Sequence, residues 1–151
     1  MRRFQNYAEL DVWNEARKLV SQVYLTSKKF PKDDGSGLSQ EICRRAVIIP
    51  AGIAEATGMH RSDDALDILF HSRSCLYEVE AMVYLAGDQL FISTEEMNAL
   101  IEQITTCKRL INGFINYFRK SKGSGRSRRE NNESEQHEEP ESASTGEEIT
   151  V

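Results

Sequence analysis

Apolar residues recur at three- and four-residue steps through four long segments of this chain, and nowhere do they alternate over a strand's length. That period puts them on one side of a helix, whereas a half-buried strand needs a period of two. The sequence therefore reads as all-α. The first segment is 8–30, with Leu10, Trp13, Ala16, Val20, Val23 and Tyr24 on its stripe and Pro31 as its stop. Residues 31–37, Pro-Lys-Asp-Asp-Gly-Ser-Gly, are turn chemistry. The second is 38–58, carried by Ile42, Ala46, Ile49 and Ile53, widened by Cys43, Val47 and Ile48, and capped by Gly58. Pro50 lies inside it and predicts a kink, because its ring opposes the Ala46 carbonyl. The third is 63–86, with Leu66, Leu69, Phe70, Leu76, Val79, Val83 and Tyr84 on its stripe, Ser62 as N-cap and Gly87 as its end. The fourth is 94–120, opened by a Ser93/Glu96 capping box and carried by Met97, Leu100, Ile101, Ile104, Ile111, Phe114, Ile115 and Phe118.

Short connections between long helices predict an antiparallel up-down-up-down four-helix bundle over residues 1–122. Residues 123–151 have no aromatic residue, and Ile149 and Val151 are their only large aliphatics. A segment of that composition cannot bury enough surface to order itself, so a disordered basic-then-acidic C-terminal tail is expected. The tail also explains the net charge of -5, because eight of the 24 acids lie there. Residues 1–122 hold sixteen basic and sixteen acidic residues. An acidic total therefore does not exclude a polyanionic partner.

Three widely spaced cysteines, Cys43, Cys75 and Cys107, form no framework and are expected as buried free thiols in a reducing, cytoplasmic setting. Neither a signal-peptide core nor a membrane-length apolar run is present, so no membrane partner is expected.

A four-helix bundle can house a di-iron centre, but that centre needs Glu-x-x-His on two helices, and the motif is missing. No metal and no cofactor are expected. Cys75 follows His71 by four residues, a spacing read as helical neighbours in a core rather than as a nucleophile and its base. Glu78 and Glu80 are two apart and so do not share a helix face. No enzymatic activity is expected.

The cations are more informative. From Gln103 to Arg129 there are eight basic residues and no acid, while the third helix is mostly acidic. Two readings stand: solvated faces with cations near helix C-termini, or a phosphate-binding strip. On the second reading the nucleic-acid contacts are Arg17, Lys18, Arg44, Arg45, Lys108, Arg109, Arg119 and Lys120.

The stretch Gln40-x-x-x-Arg44-Arg45-Ala46-x-x-Ile49-Pro50-x-x-Ile53-Ala54-Glu55 resembles the central signature of a bacterial four-helix bundle family. That family includes the 23S rRNA intervening-sequence proteins and the accessory variability determinant of diversity-generating retroelements. Leu10-x-Val12-Trp13-x-x-Ala16, Tyr24, Phe30-Pro31 and Leu76-x-Glu78-Val79-Glu80 are similar to other parts of its pattern. The chain departs from it at Ile48, Gly52 and Ala56, where the family usually has Ser, Asn and Gly. The resemblance implies no catalysis. It implies a homo-oligomer, as a pentamer, and an association with RNA or a nucleoprotein, such as a retroelement reverse transcriptase. Arg44, Arg45, Glu55, Glu78 and Glu80 match, either binding a partner or pairing between helices, and pairing is favoured because unpaired charge near a core is costly. A structural or protein-interaction scaffold is the alternative.

Overall fold

The computed structural model describes residues 6–32 and 37–135, with side chains up to residue 123. Among the described residues the chain forms four α-helices and no strand. They are α1 (Asp11–Ser27), α2 (Leu38–Thr57), α3 (Ser62–Asp88) and α4 (Thr94–Glu135). Helices adjacent in sequence pack together, and α1 closes the ring against α4, so the architecture is the expected four-helix bundle.

The expected stripes supply most of the core. Ala16 and Val23 from α1, Ile42, Ala46, Ile49 and Ile53 from α2, Leu69, Leu76, Val79 and Val83 from α3, and Leu100, Ile104, Ile111 and Ile115 from α4 are all buried. Full burial of an aliphatic side chain contributes about 1.5–3 kcal/mol, so this interior dominates stability. Val12 and Leu19 are buried as well, whereas Tyr24 and Tyr84 are 45% and 48% exposed. Each tyrosine follows a buried valine by one position, at the stripe's edge, where its hydroxyl stays in water.

The helix ends differ from the expected ones in instructive ways. Residues 8–10 do not join α1. Asn6 caps a separate 3-10 turn, Tyr7–Glu9, by accepting a hydrogen bond from the Ala8 amide, and Leu10 is extended before α1 starts. α2 runs unbroken through Pro50 and stops at Gly58 as expected. The N-cap of α3 is Arg61 rather than Ser62, with no side-chain cap. Gly87 does not end α3; the reversal comes at Leu90, which takes a left-handed φ of 61°. The Phe91 amide bonds back to the Ala86 carbonyl at 3.0 Å, and the Leu90 amide to Gly87 at 3.0 Å. Those two bonds are the Schellman pattern, with leucine where glycine is usual. At α4 the capping box forms, with the Glu96 amide donating to Ser93 Oγ at 3.1 Å.

α4 continues to Glu135, well beyond the expected end at residue 120. No proline interrupts it before Pro140, and Arg126 with Glu130 and Arg129 with Glu133 have the four-residue spacing of opposite charges on a helix. The rest of the expected disordered acidic tail, residues 136–151, lies outside the described residues, as do residues 33–36 of the first connection.

Candidate nucleic-acid interface

The eight cations picked from sequence do not converge on one face. Glu78 and Glu80, two positions apart, point to opposite sides of α3 and draw their partners with them. Arg45 on α2 meets Glu78 at 3.2 Å, while Lys108 on α4 meets Glu80 at 2.5 Å. The helix α3 therefore stands between these two cations. Arg44 pairs within its own helix with Glu41 at 3.5 Å, and Lys18 pairs with Glu15 at 3.0 Å. Arg17 lies over the Trp13 ring, 5.4 Å from its centroid. Arg109 and Lys120 are exposed on α4. Arg109 adds to the charges that hold the Glu15 carboxyl below its usual range. Hydrogen bonds from Gln103 and then Lys18 are the larger causes.

The cations that do gather lie along the seam between α3 and α4. The helices run antiparallel, so contacts fall in order: Glu80 and Tyr77 with Lys108, Arg73 with Asn112, Phe70 with Arg119, Asp63 with Lys122. The two ends of this ladder are neutral pairs. At the Asp63 end, the hydrogen bond from Lys122 holds the Asp63 carboxyl below its usual range. The middle differs. Arg73 and Arg119 approach the same Phe70 ring from two helices, at 5.2 and 5.4 Å from its centroid. Neither has a carboxylate partner among the described residues, and Arg73 is held by Asn112 Oδ1, which accepts from its Nη1 at 3.1 Å. Stacking on an aromatic ring orients a guanidinium while leaving its edge donors for an oxyanion.

Aromatic rings continue along the same stripe of α3. Phe70, Tyr77 and Tyr84 are spaced by sevens, close to two helical turns each, so their positions lie along one side about 10 Å apart. Tyr77 is 52% exposed, with the Lys108 ammonium 4.3 Å from its ring centroid. Arg73 and Tyr77 were missed by the sequence reading, and Phe70 and Tyr84 were assigned to the core. The signal that identifies them is that seven-residue aromatic spacing with an arginine three positions after its first member.

The other candidate chemistry is quiet. Cys75 Sγ lies 4.0 Å from His71 Nε2, and burial, then the Glu78 charge, pushes its pKa up, which favours the thiol over the thiolate. Cys107 is pushed up to about 12, mainly by burial and further by the Glu15 charge. Glu55 enters no ion pair among the described residues; with Asp67 and His71 it borders a shallow α2–α3 groove floored by Gly52 and Ser72. No helix among the described residues is long and apolar enough to cross a membrane.

A family model for 23S rRNA-intervening sequence proteins matches residues 8–113, which takes in α1, α2, α3 and the first half of α4. No curated protein matches the chain.

Proposed function

The chain belongs to the 23S rRNA-intervening sequence protein family, and on that premise we propose that it is a non-enzymatic, homo-oligomeric bundle that binds RNA through the α3–α4 face. The observation that carries this reading is the pair Arg73 and Arg119 over Phe70, two oriented guanidiniums without a carboxylate among the described residues. Paired cations such as Lys108 and Arg45 contribute less, because binding a phosphate there means giving up a carboxylate. A nucleoprotein partner, such as a retroelement's reverse transcriptase with RNA bound to it, would offer the same phosphates through that RNA. Self-association is supported by apolar side chains left on the surface, including Val47 on α2 and Leu25 on α1. A homopentamer is the assembly proposed, and light scattering should give a mass several times 17.2 kDa. The cytoplasm, where RNA and free thiols coexist, is the proposed setting.

The test is a titration of a generic structured RNA over a range of salt. Affinity should fall steeply with salt, and Arg73→Glu with Arg119→Glu should lower it more than tenfold at low salt while leaving helicity intact. A salt-independent affinity, or a charge reversal without effect, would favour a protein-interaction scaffold. The inter-helix pairs Arg45–Glu78 and Lys108–Glu80 speak for that second reading, since both spend charge on holding helices together.

A further inference from the structure

We infer that the α3–α4 face takes unpaired RNA, with Tyr77 and Tyr84 stacking on bases while Arg73 and Arg119 hold the adjoining phosphates on the Phe70 side of Tyr77. This rests on the reading that the face binds RNA, and it adds which form of RNA.

Phosphate contacts alone do not distinguish a duplex from a single strand, because both present a charged backbone. Exposed rings do. In an A-form helix the bases are stacked on one another and the major groove is too deep and narrow for side chains to read, so a ring on a protein surface gains little from a duplex. An unpaired base has both faces free and stacks on a tyrosine whatever its identity. On α3 the two tyrosines sit one heptad apart, both about half exposed, in line with Phe70.

Their surroundings suit the role. Lys108 covers one side of the Tyr77 ring and is itself fixed by Glu80, which leaves that cation near the path of a backbone without making it a free competitor for the ring's other face. Arg73 lies one helical turn before Tyr77, anchored by Asn112 and Phe70. The order along the seam is therefore guanidinium pair, ring, ring, an arrangement in which backbone and bases are engaged by different side chains. A solitary exposed tyrosine needs no explanation. Two in heptad register with a doubly stacked phenylalanine, beside arginines from two helices that have no carboxylate partner among the described residues, do.

The experiment uses the full chain and a labelled mixed-sequence RNA of about 12 nucleotides, within the span typical of single-strand sites, compared with the same strand in a duplex. Fluorescence anisotropy should show the single strand bound at least tenfold more tightly. Tyr77→Leu with Tyr84→Leu should erase that preference, Tyr77→Phe with Tyr84→Phe should keep it, and Arg73→Glu with Arg119→Glu should weaken both ligands alike. Equal affinity for the two forms, or a leucine variant that still prefers single strands, overturns the stacking role and leaves RNA binding standing. No binding of either form at low salt overturns the reading beneath it. A leucine variant whose mass by light scattering differs from wild type makes the tyrosines a contact between copies and overturns the inference by that route.

Discussion

Ser72 Oγ occupies the place that a Cβ on residue 52 would need: an ideal Cβ built on Gly52 falls 2.0 Å from that oxygen. The same oxygen is buried and has no hydrogen-bond partner among the described residues. α2 and α3 thus meet at a hydrogen on one side and an unpaired hydroxyl on the other. Gly52→Ala should destabilise the bundle by about 1 kcal/mol net, an overpacking cost of about 1–3 kcal/mol offset by about 1 kcal/mol of helix propensity. Ser72→Ala should be neutral or stabilising by up to about 1 kcal/mol, because it removes a buried polar atom that nothing satisfies. The built Cβ lies 3.4 Å from Ser72 Cβ, an ordinary contact. The double variant should therefore recover at least wild-type stability, aided by the helix propensity of alanine, which exceeds that of glycine by about 1 kcal/mol. Chemical denaturation of the four proteins measures this coupling; additive effects would show that the clash is absorbed elsewhere.

Leu90 offers a second gain. Its left-handed backbone costs a non-glycine residue roughly 1–2 kcal/mol, and its side chain, 88% exposed, returns nothing by burial. Leu90→Gly should raise stability by about 0.5–1 kcal/mol after the entropy of the added glycine is subtracted. Thermal melts of the two proteins decide it, and an unchanged or lower midpoint would contradict it.

Acid should weaken the hold on α4. Three carboxylates held below their usual range each fasten this helix: Glu15 through Gln103, Asp63 through Lys122, and Glu96 through Lys29 and Ser93. A lowered carboxylate pKa means that the folded state binds fewer protons than the unfolded one. Its contribution is complete above the unfolded carboxylate range and is lost as pH falls through about 4. The melting temperature should hold from neutral pH down to about 5 and then drop. Replacing the three by Gln, Asn and Gln respectively should flatten that drop.

Thiol chemistry should separate the cysteines. Cys75 and Cys107 are buried and their thiols are pushed up, the latter to about 12. Cys43 is half-buried, 3.2 Å from Ser27 Oγ. At pH about 8 a disulfide reagent should modify Cys43 first, with the other two reacting only as the bundle opens, since the thiolate is the reactive form. Mass spectrometry of partly modified protein identifies the order.

Periodicity carried most of the fold. Helices α2 and α3 and the start of α4 fall within a residue or two of their expected positions, and the Ser93–Glu96 box was readable outright because it depends on residue types at fixed spacing. The Leu90 reversal was not readable, because leucine carries no turn preference and only the tertiary path forces it there. Tyr84 shows the limit of a stripe: a position at its edge is core or surface according to how closely the next helix approaches. The candidate site was legible only in part. Counting cations found Lys108 and Arg119 but could not sort them from Arg44 and Arg45, because that depends on which carboxylate faces which helix. Arg73 was hidden among acids on α3, and its importance comes from α4, where Asn112 and Arg119 meet it and its ring.

The length of α4 changes how far the molecule can act. Lys122 is level with Asp63, the second residue of α3, so residues 123–135 carry the helix about 20 Å past that end of the bundle. Positions 126, 128 and 129 on that extension are arginine and positions 130, 133 and 135 are glutamate, so it is neutral by count with its acids outermost. Mobile ions damp a field over roughly 8 Å at physiological salt, so charges at the tip act independently of the bundle, while positions 126–129, about 6–10 Å out, are near the limit of that range. A polyanion approaching from that end meets the glutamate positions first and the basic ones behind them. The extension thereby makes that end a poorer first contact for a polyanion than the side of the bundle, at low ionic strength most of all.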